Sequence, residues 1–188
     1  MDILVESGRP AYCVGRIENE VRSYDFLDDL LIVYMRADHP MAFDMQTCDA
    51  VGETLDTHIC KNLFLCNRQE TSFYLLMMPA DKKFKTKDIS SQIGSSRLSF
   101  ANERHMKDLL GLTPGSVSVL GLMNDRERRV SLLIDKDLLV EHDSIGIHPC
   151  INTSTVKVSI FDLMEKIIPA LGYMPPTLVE LPRYVDDD

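Results

Sequence analysis

The chain has 188 residues and 21.3 kDa, with 45% hydrophobic and 26% charged residues, nine Gly and nine Pro, which is the make-up of one soluble globular domain. Disordered, collagenous and coiled-coil classes are excluded, and no apolar run approaches the roughly 18 residues that a membrane helix needs. A net charge of −9 argues against a general nucleic-acid coat protein, yet residues 61–129 hold 12 Lys/Arg against 7 Asp/Glu, while residues 1–60 hold 4 against 12 and residues 130–188 hold 4 against 10.

The start, Met1 to Glu6, lacks the basic leader and apolar core of an export signal, so a cytoplasmic location is expected. Cys13, Cys48, Cys60, Cys66 and Cys150 form no C-x-x-C pair and read as reduced thiols. The five histidines are scattered, and His58 with Cys60 has no second pair at zinc spacing. No metal or organic cofactor is expected.

In chain order, Val21, Tyr24, Leu27, Leu30 and Leu31 recur at helical spacing and predict an amphipathic helix over about 17–31. Ile32–Met35 is β-branched and aromatic and predicts a strand broken by His39-Pro40; Thr47–Val51 predicts a short helix. Asn62–Cys66 and Phe73–Met78, flanking a polar stretch, predict a hairpin whose second strand is central and covered on both faces. Helices follow at about Thr86–Ile93 and Asn102–Leu110, stopped by Gly94 and Gly111, with a short strand at Arg97–Phe100 between them. Val117–Leu122, Val130–Ile134, Ser144–Ile147 and Thr155–Val158 are further strand candidates, and a last helix runs from the capping-box-like Ser159 to Leu171. The expected fold is α+β: a single compact domain, a mixed and largely antiparallel sheet with packed helices. The first fifteen or so residues and the segment from Pro182 read as loosely held ends.

There is no G-x-S-x-G, Walker loop, H-E-x-x-H or G-x-G-x-x-G, so four common enzyme classes have no support. Three segments stand out. Lys61-Asn62 puts a cation and an amide at the end of a predicted central strand, or is an edge lysine snorkelling to solvent. Pro114-Gly115-Ser116-Val117-Ser118 is either a glycine loop whose N–H groups face a ligand oxygen or a plain type II connector. Gly146 to Thr153 carries His148, either a titrating site group or a satisfied loop histidine. The ten methionines, Met77-Met78 among them, read as core filler. Lys82, Lys83, Lys85 and Lys87 are either a grip for a small piece of polyanion or a solvated loop.

Taken in order, Asp38-His39-Pro40-Met41-Ala42-Phe43, Cys60 to Leu65, Met78 to Lys82, Arg97 to Ala101, Leu110 to Ser118, Gly121 to Asp125, and Gly146 to Pro149 with Asn152-Thr153 resemble the prolyl-tRNA editing (YbaK/ProX-like) family, most of all its free-standing alanyl-tRNA(Pro) deacylases. The resemblance runs from about residue 21 to 175, with residues 1–20 as an extension and 176–188 as a tail. It implies hydrolysis of the ester joining a wrong amino acid to tRNA(Pro). Lys61, Asn62, Gly115 and His148 are then the catalytic residues, and His39, Phe43, Ser116, Val117, Ser118 and Asn152 bind substrate. The family's G-x-x-x-P loop reads Gly115-Ser116-Val117-Ser118-Val119 here, so its proline is replaced by Val119. Expected partners are the tRNA(Pro) acceptor end, gripped by the basic middle third, and prolyl-tRNA synthetase or an elongation factor; membrane and DNA are not. The same chemistry on Cys- or Ser-tRNA, or a non-catalytic editing-like binding module, are the alternatives.

Overall fold

The organising element of the computed structural model, which describes residues 2–42 and 45–184, is the hairpin of β3 (His58–Asn67) and β4 (Phe73–Pro79). Side chains alternate across a strand. In β4, Phe73, Leu75 and Met77 therefore enter the main core while Leu76 and Met78 enter a second, smaller cluster with Leu65, Ile89, Leu98 and Leu133. Both faces are covered, as expected for an apolar run of this kind.

Around the hairpin the described strands run in the order β1 (Leu4–Ser7), β2 (Met35–Asp38), β8 (Ser154–Ser159), β7 (Ser144–Ile147), β3, β4, β6 (Val130–Asp135), β9 (Thr177–Val179), with β5 (Leu98–Phe100) also on β3. Five of the pairings are antiparallel and three, β3–β7, β4–β6 and β6–β9, are parallel. The expected mixed, largely antiparallel α+β fold is therefore the observed one. Helices α1 (Glu18–Asp29), α2 (Met45–Leu55), α3 (Lys87–Ser90), α4 (Glu103–Leu110) and α5 (Lys136–Val140) connect or cover the strands. In α4 the Asn102 side chain accepts from the His105 N–H and Gly111 takes the left-handed conformation (φ 64°), which closes both ends as the sequence implies.

Four expectations need correction. Ile32–Met35 is not a strand: Leu31 (φ 54°) closes α1 and the strand ladder begins only at Met35, so the apolar Ile32 and Tyr34 are buried outside it, with the Ile32 N–H on the Leu27 carbonyl and the Tyr34 carbonyl accepting from the Gly8 N–H. Val117–Leu122 is not a strand either. Ser118 accepts from the Leu120 N–H and starts a 3-10 helix, Val119–Asn124, whose Gly121 packs so closely on Leu112 that a Cβ would lie 2.6 Å from it. A short apolar run cannot distinguish the two forms by periodicity, and here capping decided. The last helix is interrupted by a π-helical stretch, Leu163–Ile167, just before Pro169, which has no N–H to give to an i−4 carbonyl. Finally, parts of the described end segments are tied down: β1 pairs with β2, and Arg183 bonds Asp81 and Glu141 at 2.6 Å each, just beyond β9, which pairs with β6; residues 185–188 lie outside the described residues.

One buried ion pair ties the hairpin to the C-terminal segment. Lys82 Nζ, nearly inaccessible, donates to Asp135 Oδ2 at 2.7 Å and to the Leu181 carbonyl at 2.9 Å, and lies 2.7 Å from Asp137 Oδ2. Burial opposes its charge, but the bonds to Asp135 and Asp137 prevail and raise its pKa. Lys82→Met is expected to cost about 3–5 kcal/mol in a urea titration, because Asp135 is left buried and uncompensated. Unchanged stability would show that the pair contributes nothing net.

Candidate active site

β3 is paired unevenly on its outer edge. On that edge β7 reaches only His58 and Ile59, β5 reaches only Leu65–Asn67, and residues 60–64 between them have no strand partner there among the described residues. The ladder to β4 is one-to-one over this stretch, and the Phe64 carbonyl accepts from the Ala101 N–H on the outer edge. By the two-residue period, the backbone groups of Cys60 and Asn62 point the same way. The interruption leaves a cleft of about 400 Å³, lined by Lys61, Asn62 and Leu63 from β3 and by Ala42, Cys48, Ala80, Gly115, Val117 and His148 from elsewhere.

The cleft straddles the strand edge. Lys61, Leu63 and Leu65 lie on one face of β3 and Asn62 and Phe64 on the other, so ammonium and amide sit on opposite lips. Lys61 Nζ donates to the Lys82 carbonyl at 3.3 Å and has no ion-pair partner among the described residues. The Asn62 amide is oriented by its Nδ2, which donates to the Cys60 carbonyl at 3.3 Å. Its Oδ1 is buried and has no hydrogen-bond partner. A buried acceptor left unpaired costs about 1–3 kcal/mol, and a ligand donor would remove that cost.

On the far lip, His148 donates from Nδ1 to the Ser154 carbonyl at 2.9 Å, since a carbonyl can only accept, and this leaves Nε2 as the acceptor nitrogen of a neutral ring. Burial pushes its pKa below the ordinary histidine value; the Ser154 bond opposes the shift and His39, 6.4 Å away between ring centroids, adds to it. Gly115 (φ 86°) follows Pro114 in a turn closed by the Ser116 N–H to the Thr113 carbonyl at 3.1 Å, so the type II connector and the cleft-lining glycine are one and the same.

The remaining site expectations separate. Val117 lines the cleft. His39 does not: it is buried one layer behind, its ring bonded to the Pro40 carbonyl at 2.7 Å and to Thr155 Oγ1 at 2.9 Å. The Ser116 hydroxyl is spent inside its own turn on Thr113, and the Ser118 hydroxyl donates to the His148 carbonyl while capping the 3-10 helix. Asn152 is buried beside the cleft, where its carbonyl accepts from the Ala42 N–H at 3.0 Å. These four support or adjoin the cleft without lining it, because a motif's neighbours alternate between lining and bracing. Phe43 lies outside the described residues. Val119, where a proline was expected, is the first residue of the 3-10 helix, a position whose N–H serves no intrahelical bond, so both residues suit it.

Sequence reasoning missed Ala42, Cys48, Ala80 and the Lys82 carbonyl. The hairpin register was the available signal: Cys60 opposite Pro79 sets Ala80 at the cleft mouth. A second cavity of about 420 Å³ adjoins through Ile59 and Ala80 and is lined by Asp49, Glu53, Asp56 and Asp81 with the stacked pair His58–His142, ring centroids 3.6 Å apart. Among the described residues no group of three His, Cys, Asp or Glu could hold a metal ion, and no helix is long and apolar enough to cross a membrane.

A cleft with largely apolar walls that holds one ammonium, one oriented amide and one neutral imidazole suits hydrolysis or ligand binding by placement of the reacting groups. The model of the aminoacyl-tRNA editing domain matches residues 39–166, and the chain belongs to that family. It is thereby an aminoacyl-tRNA deacylase whose substrate is a tRNA. The prolyl-tRNA editing protein ProX of Acetoanaerobium sticklandii is 36% identical over 146 residues, covering 78% of this chain and 88% of the relative. Prolyl-tRNA synthetase associated domain-containing protein 1 of Danio rerio is 27% identical and covers 88% and 89% respectively. A crystal structure described as a candidate trans-editing enzyme for prolyl tRNA synthetase shares the fold, with a TM-score of 0.65, 14% identity, and coverage of 89% of this chain and 99% of that one.

The two buried imidazoles predict a pH response. Burial also lowers the pKa of His39, with Pro40 and Asp38 opposing. Both rings thus protonate less readily folded than unfolded, so stability is full above the unfolded value of about 6.5 and falls as pH drops below it. Urea midpoints at pH 7.5 and 5.5 are expected to differ less in His39→Gln than in the unsubstituted protein; equal differences would remove His39 from the account.

Proposed function

We propose that the protein hydrolyses, in trans, the ester of mischarged tRNA(Pro), with alanine as the amino acid removed, and that Lys61, Asn62, Gly115 and His148 carry the reaction. The observation carrying this reading is the convergence, at the unpaired stretch of β3, of the unpaired Lys61 ammonium, the buried unpartnered Asn62 Oδ1 and the His148 acceptor nitrogen in one cleft. The relatives' names, prolyl-tRNA editing and prolyl-tRNA synthetase associated, support the choice of tRNA. They also suggest the synthetase as companion, with an elongation factor as the other candidate. The apolar walls, Ala42, Ile59, Leu63, Ala80 and Val117, suit a methyl side chain. A hydroxyl or thiol in its place is discriminated by only about 1–3 kcal/mol, so Ser and Cys esters are the competing substrates.

An aminoacyl ester is already activated, so its hydrolysis needs a placed water and a polarised carbonyl. Lys61 holds the terminal phosphate or ribose. The Asn62 Oδ1 accepts from the amino group of the aminoacyl moiety, the ligand donor that answers its missing partner. The N–H groups of Gly115 and Val117 face the developing oxyanion, because that of Ser116 is committed to closing the turn. His148 Nε2 accepts from the attacking water, whose proton the neighbouring ribose hydroxyl of the substrate helps to remove. The acidic neighbouring cavity repels phosphates, so the RNA lies toward the basic middle third.

Lys61→Ala is expected to abolish hydrolysis of Ala-tRNA(Pro) while leaving the thermal midpoint nearly unchanged, because a half-buried strand-edge lysine contributes little core area. Near-normal activity would show the site to be misassigned. His148→Ala should lower the rate about 10- to 10³-fold, and replacing the terminal ribose hydroxyl next to the ester by hydrogen should cost at least as much. A deoxy substrate cleaved at full rate by the intact enzyme, together with a dead His148→Ala, would make the histidine an ordinary general base and end the substrate-assisted account.

A further inference from the structure

We infer that Phe100, backed by Phe84, is a stacking platform for an unpaired base at the 3′ end of the RNA, an inference that rests on the deacylase reading. Phe100 is opposite Leu65 in the β3–β5 ladder, so it shares a face with Leu65, Leu63 and Lys61, the lip of the cleft assigned to phosphate or ribose. It is 62% exposed, although it ends a strand tied to the centre of the sheet. Phe84 meets it edge-on, ring centroids 6.0 Å apart at 72°. Phe84 and Leu63 both pack on the cluster of Leu65, Met78, Ile89 and Leu98, so the pair is seated next to the cleft wall. The Phe84 edge contact fixes the orientation of the Phe100 ring and leaves a flat apolar surface toward solvent.

Two features select a nucleobase as the occupant. The segments that carry Phe84 and Phe100 also supply Lys85 and Arg97 to a groove of about 680 Å³ lined by Lys85, Thr86, Lys87, Ser90, Ser91, Ser95 and Arg97, cations and hydroxyls with no carboxylate among the described lining residues. Alternation of an aromatic face with a cationic groove is the pattern that single-stranded nucleic acid requires, bases stacking and phosphates neutralised. The loop that carries Phe84 also presents the Lys82 carbonyl to Lys61 Nζ, so a base on the platform and a ribose at Lys61 are held by one rigid segment, itself anchored by the buried Lys82–Asp135 pair. An acidic peptide would match the cations of the groove but not the exposed flat ring beside them, whereas a base with its phosphate answers both.

The test uses the full chain with Ala-tRNA(Pro) and with uncharged tRNA(Pro) carrying 2-aminopurine at each unpaired 3′ position in turn. Phe100→Ala should raise KM by roughly 5- to 150-fold, the range for one base stacked on one aromatic ring, and leave kcat within about twofold. Phe100→Trp should restore KM, and the intact protein should quench one 2-aminopurine position that Phe100→Ala does not. KM unchanged in Phe100→Ala, or no position quenched, would overturn the platform while leaving the deacylase reading intact. Failure of the intact protein to hydrolyse any charged tRNA would overturn the deacylase reading, and the quenching arm with uncharged tRNA would still decide the platform. Phe84→Leu, which keeps the apolar packing, should produce a smaller KM increase of the same kind; an equal loss of kcat in it instead would assign the aromatic pair to the fold of the cleft.

Discussion

The rest of the molecule depends on the failure of β3 to be paired along its whole outer edge. A ten-residue strand takes a two-residue parallel ladder from β7 at one end and a three-residue antiparallel ladder from β5 at the other. Backbone groups in the interval must still be satisfied, since an unpaired buried amide is costly. One is met by the Asn62 side chain reaching back to the Cys60 carbonyl, and that bond fixes the amide while its buried oxygen is left without a hydrogen-bond partner. The same gap that makes room for a ligand therefore also orients the Asn62 amide at its edge.

Rigidity around the gap comes from apolar packing on both sides of one sheet. Two clusters, divided by the alternation in β3 and β4, clamp the strand, and each supplies a lip: Lys61 and Leu63 on the side of the smaller cluster, Asn62, Val117 and His148 on the side of the main core. His148 is braced from behind by His39, Ser118 and the Ser154 carbonyl, which set its position and its neutral tautomer. Placement of this quality is what an activated ester requires.

Charge divides the surroundings of the cleft in the same direction as the packing. Carboxylates and a histidine pair line the cavity on the side of α2 and α5, while lysines, an arginine and serines line the groove beyond β5. The basic groove attracts anions and the acidic cavity repels them, and salt screens both effects.

The sequence alone determined the class of fold, the central hairpin, the caps of α4 and the order of the segments that carry Lys61, Asn62, Gly115 and His148, because periodicity, capping and turn chemistry are local and do not depend on what packs where. It did not separate lining residues from bracing ones. His39, Ser116 and Ser118 belong to the same segments as the cleft residues, yet the Ser116 hydroxyl is consumed within its own turn by Thr113, and His39 and Ser118 by Thr155 and the His148 carbonyl, partners that only folding brings near. Nor did it show that Val117–Leu122 would turn into a 3-10 helix, or that Leu4–Ser7 and Thr177–Val179 would be edge strands, since short apolar runs take the form that their tertiary neighbours allow. Above all, the gap in β3 is a property of three ladders at once, and pairing between residues as far apart as Ile59 and Gly146 is decided by the whole sheet rather than by either segment.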